Sequence, residues 1–122
     1  MSQHAEELTA EQEKKLIGDL KASRDELTTR IDGLAEATKP VDLETPIGRL
    51  SRMDAMQVKQ LQKATRQQHT LRLQQVNQAL LAAENGVYGY CRKCEEPVGY
   101  ARLSVRPEAP FCMGCQSNIE HR

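Results

Sequence analysis

Leucine and isoleucine recur along the first third of the chain at intervals close to three, four and seven residues. They are Leu16, Leu20, Leu27, Ile31 and Leu34. No proline interrupts the segment from Glu6 to Ala37. This spacing places the apolar side chains on one side of an α-helix, so the pattern predicts an amphipathic helix over residues 6–37 with a narrow apolar seam.

A second long helix is predicted from near Gly48 to Asn85. Its candidate buried residues are Leu50, Leu61, Ala64, Leu71, Val76 and Leu80. Eight glutamines lie along it and add no apolar burial. Because tertiary packing stabilises most helices more than propensity does, we expect this helix to pair with the first. Asn85-Gly86 is expected to end it, with glycine in a left-handed conformation.

The segment from Pro40 to Gly48 contains two prolines and a glycine, which predicts a turn or ordered loop. Two helices of about thirty to thirty-five residues joined there give an antiparallel coiled-coil hairpin of roughly 45 to 50 Å. The predicted fold is therefore mainly α, with the hairpin over residues 1–85 and its tip near residues 40–56.

The two predicted helices differ in charge. Residues 1–39 carry nine acidic and six basic side chains, whereas residues 57–84 carry four basic side chains and one acid, Glu84. Opposite charge favours pairing of the helices, although an exposed ion pair contributes only about 0 to 1 kcal/mol. Two independently solvated faces are the alternative interpretation.

Four cysteines occupy the last third of the chain, in a small module predicted over residues 86–122. Cys91 and Cys94 form one Cys-x2-Cys pair, and Cys112 and Cys115 form a second one after seventeen intervening residues. This spacing is typical of a tetrahedral structural zinc site, so we predict one structural Zn2+ per chain. Two disulfides are the alternative. The N-terminal residues contain no export signal, so we expect a reducing, cytoplasmic location, where disulfides are rare.

Composition narrows the possible functions. The formal net charge is +0, whereas proteins that hold nucleic acid through phosphate contacts usually carry a basic excess. No apolar run approaches the roughly twenty residues that cross a bilayer, so no membrane partner is expected.

The sequence does not indicate a catalytic site. With all four cysteines bound to zinc, neither a thiol nucleophile nor an open metal position remains. His4, His69 and His121 suggest no catalytic constellation. We therefore predict a binding protein, not an enzyme.

All the aromatic residues lie in the cysteine module: Tyr88, Tyr90, Tyr100 and Phe111. We expect them to pack around the metal site and against the base of the hairpin. The alternative is a nucleic-acid-binding zinc ribbon, in which Tyr88 and Tyr90 stack on bases with Arg92, Lys93 and Arg102 beside them. A coiled-coil adaptor, whose hairpin pairs with another helix, is a further alternative.

Acidic residues cluster near the predicted tip. Asp42, Glu44 and Asp54 lie there, with Arg49 and Arg52 beside them. Carboxylates bind Mg2+ or hydrogen-bond basic side chains, so an acidic tip suits a cavity that holds metal and phosphate. The alternative is that these acids only cap helices or favour helix N-termini.

The segment GVYGYCRKCEEPVGYARLSVRPEAPFCMGCQ resembles the DksA/TraR C4-type zinc-finger family of bacterial RNA polymerase-binding regulators. Besides the cysteines, the matching residues are Tyr88, Gly89, Pro97, Val98, Arg102, Leu103, Pro107 and Gln116. In that family a coiled-coil hairpin precedes the finger and enters the secondary channel of RNA polymerase. Acidic residues at the tip then act near the catalytic Mg2+. The resemblance implies bacterial RNA polymerase as partner, with no specific DNA binding.

The tip departs from the family pattern Asp-x2-Asp-x-Ala. Asp54 takes the second acidic place, but Ser51 stands three residues earlier and Ala55 follows Asp54 directly. The resemblance therefore implies Asp54 as the principal tip acid, with Ala55 beside it. Asp42 and Glu44 are lesser candidates, and Arg49 and Arg52 are candidate supports of the tip.

Two further departures concern the finger. Glu95 stands where the family usually has glycine after the second cysteine, and a positive φ there strains a non-glycine residue by roughly 1 kcal/mol. Many family members respond to guanosine tetraphosphate through basic residues on the hairpin and a C-terminal helix. Only seven residues follow Cys115, so we do not predict sensitivity to this nucleotide.

Overall fold

The computed structural model describes residues 6–35 and 49–121, and this part of the chain is mainly α-helical, as predicted. Its helices are α1 (Ala10–Gly33), α2 (Arg49–Glu84), α3 (Tyr100–Val105) and α4 (Met113–Glu120). The predicted loop from Pro40 to Gly48, with Asp42 and Glu44, lies outside the described residues.

Helix α1 begins later and ends earlier than the predicted 6–37. Thr9 caps its start: the Thr9 hydroxyl accepts from the Gln12 backbone N–H at 3.1 Å, and the Gln12 side chain accepts from the Thr9 N–H at 3.1 Å. This reciprocal capping box satisfies two donors that a helix leaves open. The predicted apolar seam is buried at Leu16, Leu20 and Leu27, whereas its last two members, Ile31 and Leu34, are only partly buried.

Helix α2 lies within one residue of each predicted end. Gly86 follows it with φ +75°, the left-handed conformation that glycine adopts at little cost. The Val87 N–H donates to the Ala82 carbonyl at 2.9 Å, and the Gly86 N–H donates to the Ala83 carbonyl at 3.2 Å. These two bonds form a Schellman motif, which confirms the predicted glycine cap.

The two long helices pair in antiparallel fashion. Arg66 of α2 donates from Nε to the Ile31 carbonyl near the end of α1, at 3.3 Å. At the other end Leu8, just before α1, lies against Gly89, just after α2. Between these points Leu16 and Leu20 of α1 share a buried cluster with α2 residues.

The buried face of α2 differs from the prediction. Val76 is fully buried and Leu80 is partly buried, but Leu61, Ala64 and Leu71 are exposed. Leu71 precedes Val76 by five residues and so lies about 140° away around the helix. Ala64 likewise lies off the buried face. Leu61 comes five residues before Arg66, whose contact with Ile31 marks the end of α1, so Leu61 lies beyond that end. The side chain of Leu50 is not described.

The C-terminal segment 86–121, here called the finger, packs on the base of the hairpin. Leu103 of α3 is fully buried, and Tyr88 and Cys91 are buried with it in the cluster that contains Leu16 and Leu20. The hairpin and the finger therefore share one core. Within the described ranges, no helix is both long and apolar enough to cross a membrane.

Candidate metal centre and hairpin tip

The first cysteine pair lies on a tight backbone knuckle. The Cys91 N–H donates to the Glu96 carbonyl at 2.8 Å, and the Glu95 N–H donates back to the Cys91 carbonyl at 2.9 Å. The N–H groups of Lys93 and Cys94 point at the Cys91 sulfur, at 3.4 Å each. Glu95 has φ +64°, so the knuckle does need a left-handed residue where the family has glycine.

The second pair begins helix α4. Cys112 is the N-cap residue, and its sulfur accepts from the Cys115 N–H at 3.5 Å. A backbone bond from the Arg92 N–H to the Pro110 carbonyl, 2.9 Å long, holds this segment to the first knuckle. Arg102 of α3 donates from Nε to the Phe111 carbonyl at 3.0 Å. These hydrogen bonds within the protein hold the two cysteine pairs close together without a metal ion.

The four sulfurs, of Cys91, Cys94, Cys112 and Cys115, lie within 4.8 Å of one another. The Cys94 and Cys112 sulfurs are 3.7 Å apart. A tetrahedral Zn2+ with Zn–S bonds of about 2.3 Å has S–S edges of about 3.8 Å, which this spacing fits. A disulfide needs about 2.05 Å, and all four cysteines are free thiols. The site suits one zinc ion, and with four thiolates it leaves no open position.

The pKa values of the clustered cysteine thiols also favour the binding of a cation at this site. Burial acts to raise the pKa of Cys91, but N–H groups of Cys94, Cys112 and Lys93 outweigh it and lower the pKa to about 6. The pKa of Cys115 is raised to about 12, first by its contact with Cys112 and then by burial. Four adjacent thiols cannot all ionise without a positive ion between them, so zinc binding must displace protons.

A buried acid joins the finger to the hairpin. Glu108 is 2% exposed, and its Oε2 accepts from Arg72 Nε of α2 at 3.0 Å and from Arg106 Nε at 3.4 Å. Its Oε1 is buried without a hydrogen-bond partner among the residues that the structure describes. This joint is not predictable from the sequence, because nothing in the spacing of Glu108 marks it as buried.

Three of the four aromatic side chains pack on the core as expected, whereas Tyr90 is exposed. The buried Tyr88 donates its hydroxyl proton to the Pro107 carbonyl at 2.8 Å. Burial, followed by the charge of Glu108, raises the pKa of this phenol. Tyr90 bonds Glu7, ahead of α1, at 2.8 Å. Tyr100 and Phe111 are partly buried against the same core.

These contacts weaken the nucleic-acid interpretation. A stacking surface needs accessible rings and free basic groups. Of the five candidates, Tyr88 is buried, Tyr90 is bonded to Glu7, Arg92 donates to Gln78 at 2.6 Å, and Arg102 donates to the Phe111 carbonyl. Lys93 alone among them remains exposed without such a contact in the described part of the chain.

Asp54 and Ala55 are separated from the metal centre by most of the length of α2. Asp54 and Ala55 are both exposed. Asp54 precedes Glu84, the last residue of α2, by thirty residues, which is about 45 Å at 1.5 Å per residue. Arg49 and Arg52 belong to the first turn of α2, but their side chains are not described. The structure thus places the one described tip acid at the end of the rod opposite the finger.

Comparison with known proteins gives a consistent result. The family described as prokaryotic dksA/traR C4-type zinc finger matches residues 86–121, which contain all four cysteines. Proteins named RNA polymerase-binding transcription factor DksA are similar to part of the chain. The relative from Caulobacter vibrioides is 39% identical over 62 residues, and the one from Escherichia coli is 32% identical over 50 residues.

The aligned segment covers 51% of this chain and 44% of the Caulobacter relative, so this similarity spans less than half of that protein. Similarity to a solved structure extends further. The structure of transcription factor DksA2 from Pseudomonas aeruginosa superposes with a TM-score of 0.70 at 28% identity, covering 93% of this chain and 86% of the other. The hairpin and the finger therefore share one arrangement with that protein.

Proposed function

We propose that this protein binds bacterial RNA polymerase directly and regulates transcription initiation, because residues 86–121 match the DksA/TraR C4-type zinc-finger family and the hairpin shares the arrangement of a DksA protein. One observation carries this proposal: a four-cysteine finger is fixed to the base of an antiparallel hairpin whose far end presents Asp54 about 45 Å away. The protein would act in the bacterial cytoplasm, as a regulator without enzymatic activity of its own.

The shape of the hairpin suits insertion into a channel. Two paired helices, each about 10 to 12 Å in diameter, form a rod that is narrow relative to its length. Helix α2 continues past the level of the Arg66–Ile31 contact by seventeen residues, from Arg66 back to Arg49, so its first part projects beyond α1. We propose that this end enters the secondary channel of the polymerase.

In this proposal Asp54 is the group that acts in the channel. Its carboxylate is exposed, so it is available to hydrogen-bond basic side chains or water around a metal ion. Ala55 would allow close approach beside it, and Arg49 and Arg52 would support the tip. Asp42 and Glu44 remain lesser candidates for the same role. The expected result is a change in the stability of promoter complexes, without sequence-specific contact to DNA.

Zinc has a structural role in this proposal. The four cysteines fill a tetrahedral coordination sphere and leave no place for a substrate or water. The metal would fix the two knuckles, and Glu108 and Tyr88 would then hold the finger on the hairpin through Arg72 and the core. The finger thereby sets the direction in which the rod projects.

An in vitro transcription assay tests the role of Asp54. We expect Asp54→Asn to abolish the change in promoter-complex lifetime while binding to polymerase persists, because the substitution removes charge but keeps shape. Asp25→Asn is the matched control, since Asp25 is also an exposed acid but lies on α1. The role of Asp54 is wrong if Asp54→Asn regulates as the wild type does. Adding guanosine tetraphosphate to the same reactions tests whether this nucleotide changes the effect of the wild-type protein.

A further inference from the structure

Helix α2 carries a second heptad-spaced set of residues, here called the uncharged stripe. Its members, at alternating intervals of three and four, are Gln57, Gln60, Ala64, Gln67, Leu71, Gln74, Gln78, Leu81 and Asn85, the last directly after the helix. Every one is exposed, and none carries a charge. Leu71 and Leu81 are 61% and 56% exposed, which is unusual for leucines at regular heptad positions.

The stripe faces away from α1. The residues of α2 that are buried or partly buried against α1 include Leu73, Val76, Leu80 and Ala83, again at intervals of three and four. Each stripe position from Leu71 to Leu81 precedes such a position by two residues, for example Leu71 before Leu73. Two residues rotate a helix by about 200°, so the stripe lies on nearly the opposite side of α2. The pairing with α1 therefore leaves it unused.

The stripe is complementary to itself when two copies run antiparallel. In such a pair, positions whose numbers add to 145 face each other. Ala64 then faces the partner's Leu81, a small residue against a large one. Gln60 faces the partner's Asn85, so that amides that both donate and accept hydrogen bonds meet. Gln67 faces the partner's Gln78, whose Oε1 already accepts from Arg92 and whose NH2 group remains to donate. Near the two-fold axis the methylene groups of Gln74 cover the partner's Leu71.

The flanking charges fit the same register. Lys63 and Glu84 border the stripe on one side and are exposed. In the antiparallel pair Lys63 lies beside the partner's Glu84, and the two-fold symmetry forms this contact twice. In a parallel, in-register pair Lys63 would instead lie beside the partner's Gln68, five residues further along, and would meet no acid there. The contact between Lys63 and Glu84 therefore forms only in the antiparallel orientation.

Space exists where the partner helix must pass the finger. A groove of about 670 Å3 runs between the end of the stripe, at Gln78, Leu81 and Asn85, and the finger residues Val87 and Arg92. In the proposed register the partner's Gln60 and Ala64, a medium-sized and a small residue, enter this groove. The finger then flanks the incoming helix.

From these observations we propose that a second copy of this chain docks antiparallel on the uncharged stripe and forms a two-fold symmetric dimer. With two leucines and one alanine per copy, the interface buries little apolar surface, so association is concentration-dependent and weaker than in an obligate dimer. The dimer does not rest on the polymerase proposal, since it uses only the contacts between copies of α2.

Sedimentation of the zinc-loaded full chain over a wide concentration range tests the proposal. We expect the mass to rise from 13.7 kDa toward twice that value. Leu71→Glu should keep the protein monomeric over this range, because it places two carboxylates together near the axis. Val58→Glu is the control: Val58 is also an exposed apolar residue of α2, at 55%, but lies off the stripe. A mass of 13.7 kDa throughout, or equal dimerisation of Leu71→Glu and wild type, overturns the proposal.

A charge exchange tests the register. Lys63→Glu and Glu84→Lys should each weaken association at least several-fold, because each creates two like-charge contacts. The double variant should restore association to near the wild-type level, since the pairs reform with reversed sign. If the double variant associates no better than the single ones, the antiparallel register is wrong.

Discussion

Arg72 of α2 and Glu108 of the finger form an ion pair in which Nε and Oε2 are 3.0 Å apart. The Glu108 side chain is 1% exposed, whereas that of Arg72 is 46% exposed. The acid is therefore buried at the junction and the base reaches it from the side of the hairpin. This contact fixes the finger relative to the rod, and it can be tested separately from the metal.

Removing the base should destabilise the zinc-loaded protein. We expect Arg72→Ala to lower the free energy of unfolding by about 1 to 3 kcal/mol, because a buried carboxylate loses one of its two partners. Arg24→Ala is the control: Arg24 pairs with Asp25 on the surface of α1, so its loss should cost less than about 1 kcal/mol. Urea titration measures both. Equal losses of unfolding free energy in the two variants would mean that the Arg72–Glu108 pair stabilises the protein no more than a surface ion pair does.

The hydroxyl of Tyr88 should matter more than that of Tyr90. Tyr88→Phe leaves the buried Pro107 carbonyl without its 2.8 Å partner, which should cost about 1 to 3 kcal/mol at neutral pH. Tyr90→Phe removes a surface bond to Glu7 and should cost less than about 1 kcal/mol. Thermal denaturation of the two variants gives the comparison. A larger loss for Tyr90→Phe contradicts the assigned burial.

Tyr88 also predicts a pH dependence. Burial raises its pKa in the folded protein above the ordinary value of 10.0. The unfolded chain therefore releases the phenol proton at lower pH than the folded one. The resulting stability is complete below about pH 10 and is lost as pH rises above it. The wild type should lose more stability than Tyr88→Phe between about pH 9 and pH 11, and parallel losses in the two proteins would refute this account.

Removal of zinc should unfold the finger to a greater extent than the hairpin. All three tyrosines lie in the finger, so near-ultraviolet circular dichroism reports on that segment alone. We expect a chelator to abolish the tyrosine signal and lower the melting temperature, because structural zinc contributes directly to folding. Cys112→Ser should reproduce both effects. Zinc should also be lost as pH falls, since protons compete for the thiolates. Unchanged spectra in a demonstrably zinc-free sample would exclude a structural metal.

Glu95 offers a test of backbone strain. Its φ of +64° costs a non-glycine residue about 1 kcal/mol. Glycine removes that cost but gains freedom in the unfolded chain. Glu95→Gly should therefore be about 1 kcal/mol more stable than Glu96→Gly, in which glycine replaces a neighbouring residue without a positive φ. Chemical denaturation of both zinc-loaded variants decides this, and the reverse order would mean that the knuckle is not strained.

Much of the architecture follows from local signals in the sequence. The seam of Leu16, Leu20 and Leu27, the glycine cap at Gly86 and the spacing of the cysteines each depend on nearby residues, and each was predicted correctly. The buried face of α2 was predicted poorly. Leu61 and Leu71 were predicted to be buried but are exposed, because the packing partner decides which face of a helix is covered.

The joint at Glu108 illustrates what sequence patterns do not contain. Its burial depends on Arg72, thirty-six residues away, and on a finger orientation that no periodicity encodes. The tip shows a related limit. Resemblance to a family, and no pattern within the chain itself, points to Asp54, whose side chain is exposed on α2. Its function depends on a partner surface outside this chain.

Binding to purified bacterial RNA polymerase tests the central claim most directly. The zinc-loaded protein, labelled away from the hairpin tip and the finger, is titrated with the polymerase, and a known secondary-channel factor is then added as competitor. We predict saturable binding that the competitor displaces. Absence of binding at concentrations far above those in cells, or binding that the competitor leaves unchanged, would contradict insertion of the hairpin into the channel.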